Sequence, residues 1–479
     1  QARTFHSAAL RQLQHFWPTL TDGYLPDLVA SKATMVAHVL DTMGMEVDSA
    51  LLRDISSDIE WRKVKGYTTE EYLQQVELGH HEPPSGISSP TMVDIMARYE
   101  KVKDERRRID FEDVMLAAVG MLESEPSVLR QVRDTYRFFL VDEYQDVAPV
   151  QQRLLDVWLG DRSDVCVVGD ASQTIYSFAG ATSDYLVRFA EAYPDARVIR
   201  LEENYRSSPE IIRAANLGIR GEPGALELRA TREGTDPLVY SAQPTDEAEA
   251  QWVATQVSAC LAEGYALSDI AVLHRFSAQI LASEGALGHA GFSVRQQGGT
   301  RFFDQPHVKR AVMEIRGAAV AHTPGPMNRV VDDILFGLGY TPEPPSQQGN
   351  VQTAWEDLRA ISQLADALGP EASLQEFSEE LIRRERAHDE PTLDAVTLTT
   401  VHAAKGQEWP IVFVVGLAEG LFPISYARTA EQRAEERRLF YVAMTRAQNR
   451  LYLSWAQRSK PSGPERTMSA FLPDIGIGV

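Results

Sequence analysis

Phe138-Phe139-Leu140-Val141-Asp142-Glu143-Tyr144-Gln145-Asp146 is the stretch on which the fold turns. Four apolar residues run straight into two carboxylates. A continuous apolar run of this length suits a parallel strand covered on both faces. Acids at its end fall at the carboxyl edge of the sheet, where open α/β folds bind ligands. One carboxylate there can hold Mg²⁺, which takes few protein oxygens and keeps several waters. The other can orient or deprotonate an attacking water. A plainer role also suits these residues: acids complementing the dipole at a helix N-terminus. Taken alone, the stretch leaves both open.

Working outward, the same kind of run recurs at Val165–Val168, Val198–Leu201, Ile270–Leu273, Val396–Thr400, Ile411–Val415 and Leu451–Trp455. Helical patterns lie between them, such as Val150, Leu154, Leu155 and Trp158. The alternation predicts an α/β fold with doubly wound parallel sheets. The runs form two groups, one over 106–202 and one over 203–307 that resumes near 389. The intervening segment is Pro/Gly-rich at His322–Met327 and Tyr340–Asn350, then helix-prone over Trp355–Leu368 and Leu374–Arg386. Residues 15–105 read as mostly helical, broken by a loop at Glu82–Pro90.

At 479 residues the chain exceeds one core and calls for several folding units. A net charge of −21 argues against coating nucleic acid by bulk charge, but it leaves room for a local basic groove. No apolar run approaches the roughly 18 residues of a membrane span. With only Cys166 and Cys260, a disulfide framework or Cys-rich zinc site is excluded, and a reducing cytoplasmic location is expected.

Four further stretches carry chemistry. Gly169–Gly180 follows a strand and holds Gln173, an amide able to report a terminal phosphate. It also holds Tyr176 and Phe178, whose rings could stack on bases or tuck into a core. Glu202–Glu210 places Tyr205 and Arg206 before Ser207-Ser208-Pro209, a helix-capping sequence. Thr399–Trp409 connects two strands and contains Thr400, His402, Lys405 and Glu408. Glu435–Arg446 is a basic helix ending in Arg446, a candidate for stabilising charge on a transferring phosphoryl group. A solvated helix face and a turn lysine are the ordinary alternatives for the last two.

In order, spacing and wording these stretches resemble the UvrD/Rep/PcrA-type helicases of superfamily 1, from Thr4-Phe5-His6 to about Trp455. The acid box is similar to motif II and Gly169–Ala181 to motif III. Asn204–Ser207 is similar to motif IV, Thr400–Trp409 to motif V and Arg437–Arg446 to motif VI. Arg301-Phe302-Phe303 resembles the lead into the family's subdomain 2B. The resemblance implies two RecA-like lobes with helical insertions. Subdomain 1A would comprise 1–14 and 106–202, with 1B at 15–105. Subdomain 2A would comprise 203–307 and 389–479, with a short 2B at 308–388. It implies ATP and Mg²⁺ as cofactors, with Asp142 on the metal and Glu143 as catalytic base. Gln173 would sense the γ-phosphate, Tyr205 stack on adenine and Glu408 contact the ribose, while Arg206 and Arg446 act as arginine fingers. Thr4, Phe5, His6, Tyr176, Phe178, Arg275, Thr400 and His402 would meet single-stranded DNA. The implied activity is ATP-dependent 3′–5′ DNA unwinding or translocation in repair or replication. Single-stranded DNA, duplex junctions and DNA-repair proteins would be the partners, and no membrane. The alternative function is a non-catalytic DNA- or partner-binding scaffold that keeps the fold.

The sequence also departs from the family. Ala179 stands where many relatives have arginine, and Gln407 where leucine is usual. The insertion at 308–388 is short, and no nuclease-like acidic cluster follows motif VI. A Gly-rich loop ending in Gly-Lys-Ser/Thr is not found, since Lys65-Gly66 and Lys405-Gly406 have the wrong order. That loop cradles the phosphates, so roughly 80–100 residues are expected ahead of Thr4, and the chain by itself is expected to be inactive.

Overall fold

The computed structural model describes residues 2–21, 23–46, 48–234, 238–297, 302–343, 350–369, 371–387 and 394–477. The chain divides into two compact units, Gln1–Arg200 with Pro223–Ala225, and Leu201–Glu222 with Leu226–Val479.

Along the first unit run α1 (Phe5–Thr21), α2 (Ser49–Lys65), α3 (Ser89–Glu105), α4 (Phe111–Ser124), β1 (Phe139–Val141), α5 (Pro149–Leu159) and β2 (Val165–Val167). β1 and β2 pair in parallel, Phe139 opposite Val165 and Val141 opposite Val167. Leu13, Met115, Leu122, Val141, Leu154 and Trp158 form a common core. Trp158 organises it: Phe139 stacks on its ring at 5.6 Å and Phe5 at 6.0 Å, and its indole N–H donates to Gln12 at 3.1 Å. Alternation along β1 turns Phe138 and Leu140 the other way. They are 80% and 75% exposed, so this side of the strand pair is bare.

A second core belongs to the helices before β1. Val36, Leu40, Ile55, Ile59, Tyr72, Met92 and Tyr99 pack together across Lys32–Thr42, α2, Thr69–Glu77 and α3. Asp48 caps α2 by accepting from the Leu51 N–H at 2.8 Å, and Gly66 ends it in the left-handed conformation (φ 72°). A buried ionic knot ties α2 and α3 to α4. Lys63 Nζ lies 2.6 Å from Asp110 and 2.7 Å from Asp113, and Lys103 Nζ lies 3.2 Å from Asp110.

Along the second unit run α6 (Pro209–Ile219), β3 (Val239–Gln243), α7 (Asp246–Ala262), β4 (Ile270–His274), β5 (Val294–Gln296), β6 (Val396–Thr400), β7 (Trp409–Val414), α8 (Ala430–Met444) and β8 (Ala447–Ala456). The six strands form one sheet in the order β3-β8-β7-β4-β6-β5, every pair parallel. Ile411, Phe413 and Tyr452 share a core with Val253 and Val257 of α7. Val412 and Val414 alternate to the opposite face, and α8 packs on β7 and β8. This is the α/β, doubly wound parallel arrangement expected from the apolar runs.

Helices Pro306–Val320, Met327–Gly337, Asn350–Leu368 and Leu374–Ala387 interrupt the sheet between β5 and β6 and bury a core of their own around Phe302, Phe303, Ile315, Val331, Ile361 and Phe377. Arg301, and residues 344–349 of the Tyr340–Asn350 stretch, lie outside the described residues.

One expected strand is absent. Val198–Leu201 is irregular, with Ile199 67% and Leu201 74% exposed. Apolarity nominates a strand, but pairing makes one, and among the described residues no strand pairs with this run. No described helix is long and apolar enough to cross a membrane.

Candidate nucleotide and nucleic-acid residues

In the first unit β1 ends at buried Val141, and the next two residues, Asp142 and Glu143, are exposed. The Tyr144 N–H donates to the Val168 carbonyl at 2.9 Å, which binds the turn to the end of β2. The chain makes this turn with Glu143 in the left-handed conformation, φ 53°. That region is sparsely populated by non-glycine residues, and such outliers gather at functional sites. Asp142 Oδ1 accepts the Glu143 N–H at 2.9 Å.

Behind the acids stands buried Gln145. Its amide nitrogen donates to a Glu143 carboxylate oxygen, and its Oε1 accepts the Asp170 N–H at 3.0 Å. A Cβ on Gly169 would lie 2.4 Å from that same oxygen, so position 169 excludes any larger residue while Gln145 holds this pose. Asp170 accepts the Ser172 N–H at 2.9 Å and the Gln173 side-chain amide at 3.0 Å. Glu143, Gln145, Asp170 and Gln173 are thus one hydrogen-bonded chain across two strand ends. Gln145, Gly169 and Asp170 had no assigned role in the sequence; the signal was that each sits in a strand-end loop beside a residue that did.

The donor set suits a nucleotide with Mg²⁺. Asp142 offers one open carboxylate, enough for an ion that keeps several waters. Among the described residues a separate carboxylate cluster with metal-like spacing, Glu100, Asp110 and Asp113, is already filled by the ammonium groups of Lys63 and Lys103.

Tyr176 precedes and Phe178 lies within a tight turn, Ser177–Ala179, with rings edge to face at 6.1 Å and Phe178 65% exposed. Thr4, Phe5 and His6 open α1, each differently. Thr4 Oγ1 accepts the Ser7 N–H at 3.2 Å, a capping contact. Phe5 faces the core against Trp158. His6 stacks on the half-exposed ring of Phe111 at 4.0 Å, and burial lowers its pKa.

In the second unit Asn204 Oδ1 accepts the N–H groups of Arg206 at 3.0 Å and Ser207 at 2.8 Å, which shapes the turn before α6. Ser208 occupies the N-cap position, but its hydroxyl makes no capping bond. Ser207 instead donates to the Ala447 carbonyl at 2.6 Å. Arg206 forms an ion pair with Glu408, and Glu408 also accepts from Gln448 at 2.9 Å. Arg446, only 2% exposed, donates to the carbonyls of Val442 at 3.0 Å and Gln407 at 3.1 Å. Gln407 contributes its backbone carbonyl to Arg446, and its side-chain amide donates to the Ala403 carbonyl at 3.3 Å. Tyr205 stands 70% exposed beside this group. Tyr205, Arg206, Glu408 and Arg446 are therefore neighbours, drawn from three distant segments.

Arg275 is held by Glu436, with nitrogens at 3.1 and 2.7 Å, and Glu436 also accepts the Ile424 N–H at 3.1 Å. Sequence reasoning passed over Glu436 as one acid in a charged helix. Thr400 ends β6, and its Oγ1 accepts the Ala403 N–H at 3.4 Å. Burial, with the charge of Arg275 adding to it, pushes the His402 imidazole down to about 4, so it is neutral at physiological pH.

Residues 1–194 match the UvrD/REP helicase N-terminal domain, and residues 199–343 and 342–458 match the UvrD-like helicase C-terminal domain. The chain belongs to the UvrD/Rep helicase family. ATP-dependent DNA helicase UvrD2 of Mycobacterium tuberculosis is 38% identical over 99% of this chain and 70% of its own length. DNA helicase II of Escherichia coli is 29% identical over 84% of this chain and 67% of its own. PcrA of Bacillus subtilis is 28% identical over 81% and 65%.

Proposed function

We propose that this chain is the body of an ATP-dependent DNA helicase, one that translocates 3′ to 5′ on single-stranded DNA during repair or replication. The observation that carries the reading is the hydrogen-bonded chain Glu143–Gln145–Asp170–Gln173 at the carboxyl ends of two parallel strands. Such a chain links the candidate base to the candidate phosphate sensor, so a change at one is felt at the other. Bound Mg²⁺ would supply charge neutralisation at the phosphates, and Asp142 is the residue to hold it. Glu143 would take the proton from water, with Gln145 fixing the carboxylate's orientation. Arg206 and Arg446 would stabilise phosphate charge, and Tyr205 would stack on the base. In this reading 15–105 and 308–388 are the two helical insertions. The bare face at Phe138 and Leu140 supports the expectation that further residues of the intact protein, carrying the phosphate loop, complete the first unit.

The test is ATP turnover by full-length protein with and without single-stranded oligonucleotide. Strong stimulation is expected. Unstimulated or absent turnover, with DNA binding retained, would favour the scaffold.

A further inference from the structure

We propose that Lys65, in the last turn of α2, contacts the phosphate backbone of single-stranded nucleic acid beside the Tyr176–Gly180 turn. The inference rests on the reading that this turn meets nucleic acid. Its observations concern a different element, the helix seated on the turn.

Gly180 closes the turn with φ +89°. A Cβ there would lie 2.7 Å from Val64 Cγ1 and 3.9 Å from Lys65 Cε. The last turn of α2 therefore rests directly on the turn, and the Lys65 stem runs beside the residue that follows Ala179. A side chain at 180 would push the helix away, so the glycine permits this contact as well as the backbone angle.

The basic residues of this last helical turn have different fates. Lys63 is consumed by the buried knot with Asp110 and Asp113. Arg62 donates to the Tyr67 carbonyl at 3.1 Å and lies 3.6 Å from Glu100. Lys65 makes no hydrogen bond or ion pair among the described residues. The acid felt by its amine is Asp184, acting at longer range, and burial lowers its pKa. Lys65 also lines a cleft of about 330 Å³ with Gly66, Gly120, Glu123, Pro149 and Arg153. There Arg153 is already paired with Glu123 at 2.7 Å. A partly desolvated lysine with open volume beside it, seated against a turn that carries two aromatic residues, combines the two means by which a single strand is held: stacking for the bases and a cation for the backbone. The ordinary alternative is a lysine that merely complements the C-terminal dipole of α2.

The two differ in salt dependence. Full-length protein is titrated into fluorescein-labelled oligo-dT at several salt concentrations, and anisotropy gives affinity and slope. Lys65→Ala and Lys65→Gln should each weaken binding about five-fold and flatten the log–log salt slope by about 0.7, the loss of one single-strand phosphate contact. Lys65→Arg should keep both. Adding Ala179→Arg to Lys65→Ala should restore both, because the arginine places a cation on the same turn. Phe178→Ala, measured alongside, should weaken binding with the slope unchanged. If Phe178→Ala weakens binding while Lys65→Ala alters neither affinity nor slope, the assignment of Lys65 is overturned and the turn keeps its role. An affinity loss without a slope change also overturns it, as the mark of a structural lysine. If Phe178→Ala has no effect, the reading of the turn fails and Lys65 falls with it.

Discussion

Glu143 reaches its position by a left-handed backbone conformation, a departure costing a non-glycine residue on the order of 1–3 kcal/mol. The residue persists there because the Tyr144 N–H is fixed to Val168 and the carboxylate is fixed by Gln145. A general base has to be oriented as well as present. If Glu143 is the base, as proposed, Glu143→Gln in full-length protein is expected to abolish DNA-stimulated ATP turnover and leave binding of a fluorescent ATP analogue within about three-fold, since a base is needed for hydrolysis and not for binding. Retained turnover would remove Glu143 as the base. Gln145→Ala should lower kcat about 10- to 100-fold with KM for ATP little changed, because it loosens the base without deleting it. A variant with full kcat would reduce Gln145 to packing. The position of the acids at the end of a strand was legible in the sequence, while their role stayed open between catalysis and complementing a helix dipole until the other stretches were set beside them. Gln145 and Asp170 were not legible. Their importance comes from lying across two strand ends, and spacing along one strand does not show what the next one presents.

At the scale of elements, the apolar runs told of buried strands and missed edge strands. β4 and β7, covered on both faces, stood out as continuous runs. β3 (Val239-Tyr240-Ser241-Ala242-Gln243) and the three-residue β5 lie at the two margins of the sheet and are half polar, so nothing in them resembled a core strand. Val198–Leu201 failed in the other direction, being apolar enough but left without a pairing partner. The ionic knot joining α2, α3 and α4 was equally hidden, because charged residues spread over separate helices do not show in sequence which of them are buried together. Burial alone would raise the Asp110 pKa, but Lys63 and Lys103 together hold it well below the usual carboxylate range. Asp110→Ala would leave two buried ammonium groups short of countercharge and should destabilise the first unit by about 3–5 kcal/mol. The exposed Lys101→Ala should change stability by less than about 0.5 kcal/mol. Urea unfolding of both variants checks this, and a small effect at Asp110 would show that the knot's attraction barely exceeds its desolvation cost.

For the whole molecule, charge and acid sensitivity are distributed unevenly. The net charge of −21 argued against nucleic acid, yet Arg206, Arg275 and Arg446 are all held near carboxylates or carbonyls within the second unit, a local arrangement the total conceals. The same unit carries an acid-labile point in its sheet. His274 ends β4, is 1% exposed, and shares a hydrogen bond with Ser283 at 2.9 Å. Burial pushes its pKa down to about 4, with hydrogen bonds to the Thr399 and Val272 backbone opposing weakly. The unfolded chain takes up this proton near 6.5, and the folded one resists it until about 4. Between those values the unfolded state binds more protons, so stability rises with pH, and on acidification it is lost across the window from 6.5 to 4. The full difference amounts to about 3 kcal/mol. His402, in the neighbouring loop and also shifted to about 4, adds the same sign. Glu249, fully buried and raised by desolvation, works in the opposite sense, because its stabilising neutral form is lost as pH rises. The Asp110 knot of the first unit is protected by a lowered pKa and gives way only below the ordinary aspartate value of 3.8. Acid should therefore weaken the second unit before it reaches the knot. In thermal melts from pH 7 to 4, His274→Gln should remove much of the decline in the unfolding midpoint of the second unit. If the variant declines as steeply as the unsubstituted protein across that window, His274 is not the group whose protonation the fold resists.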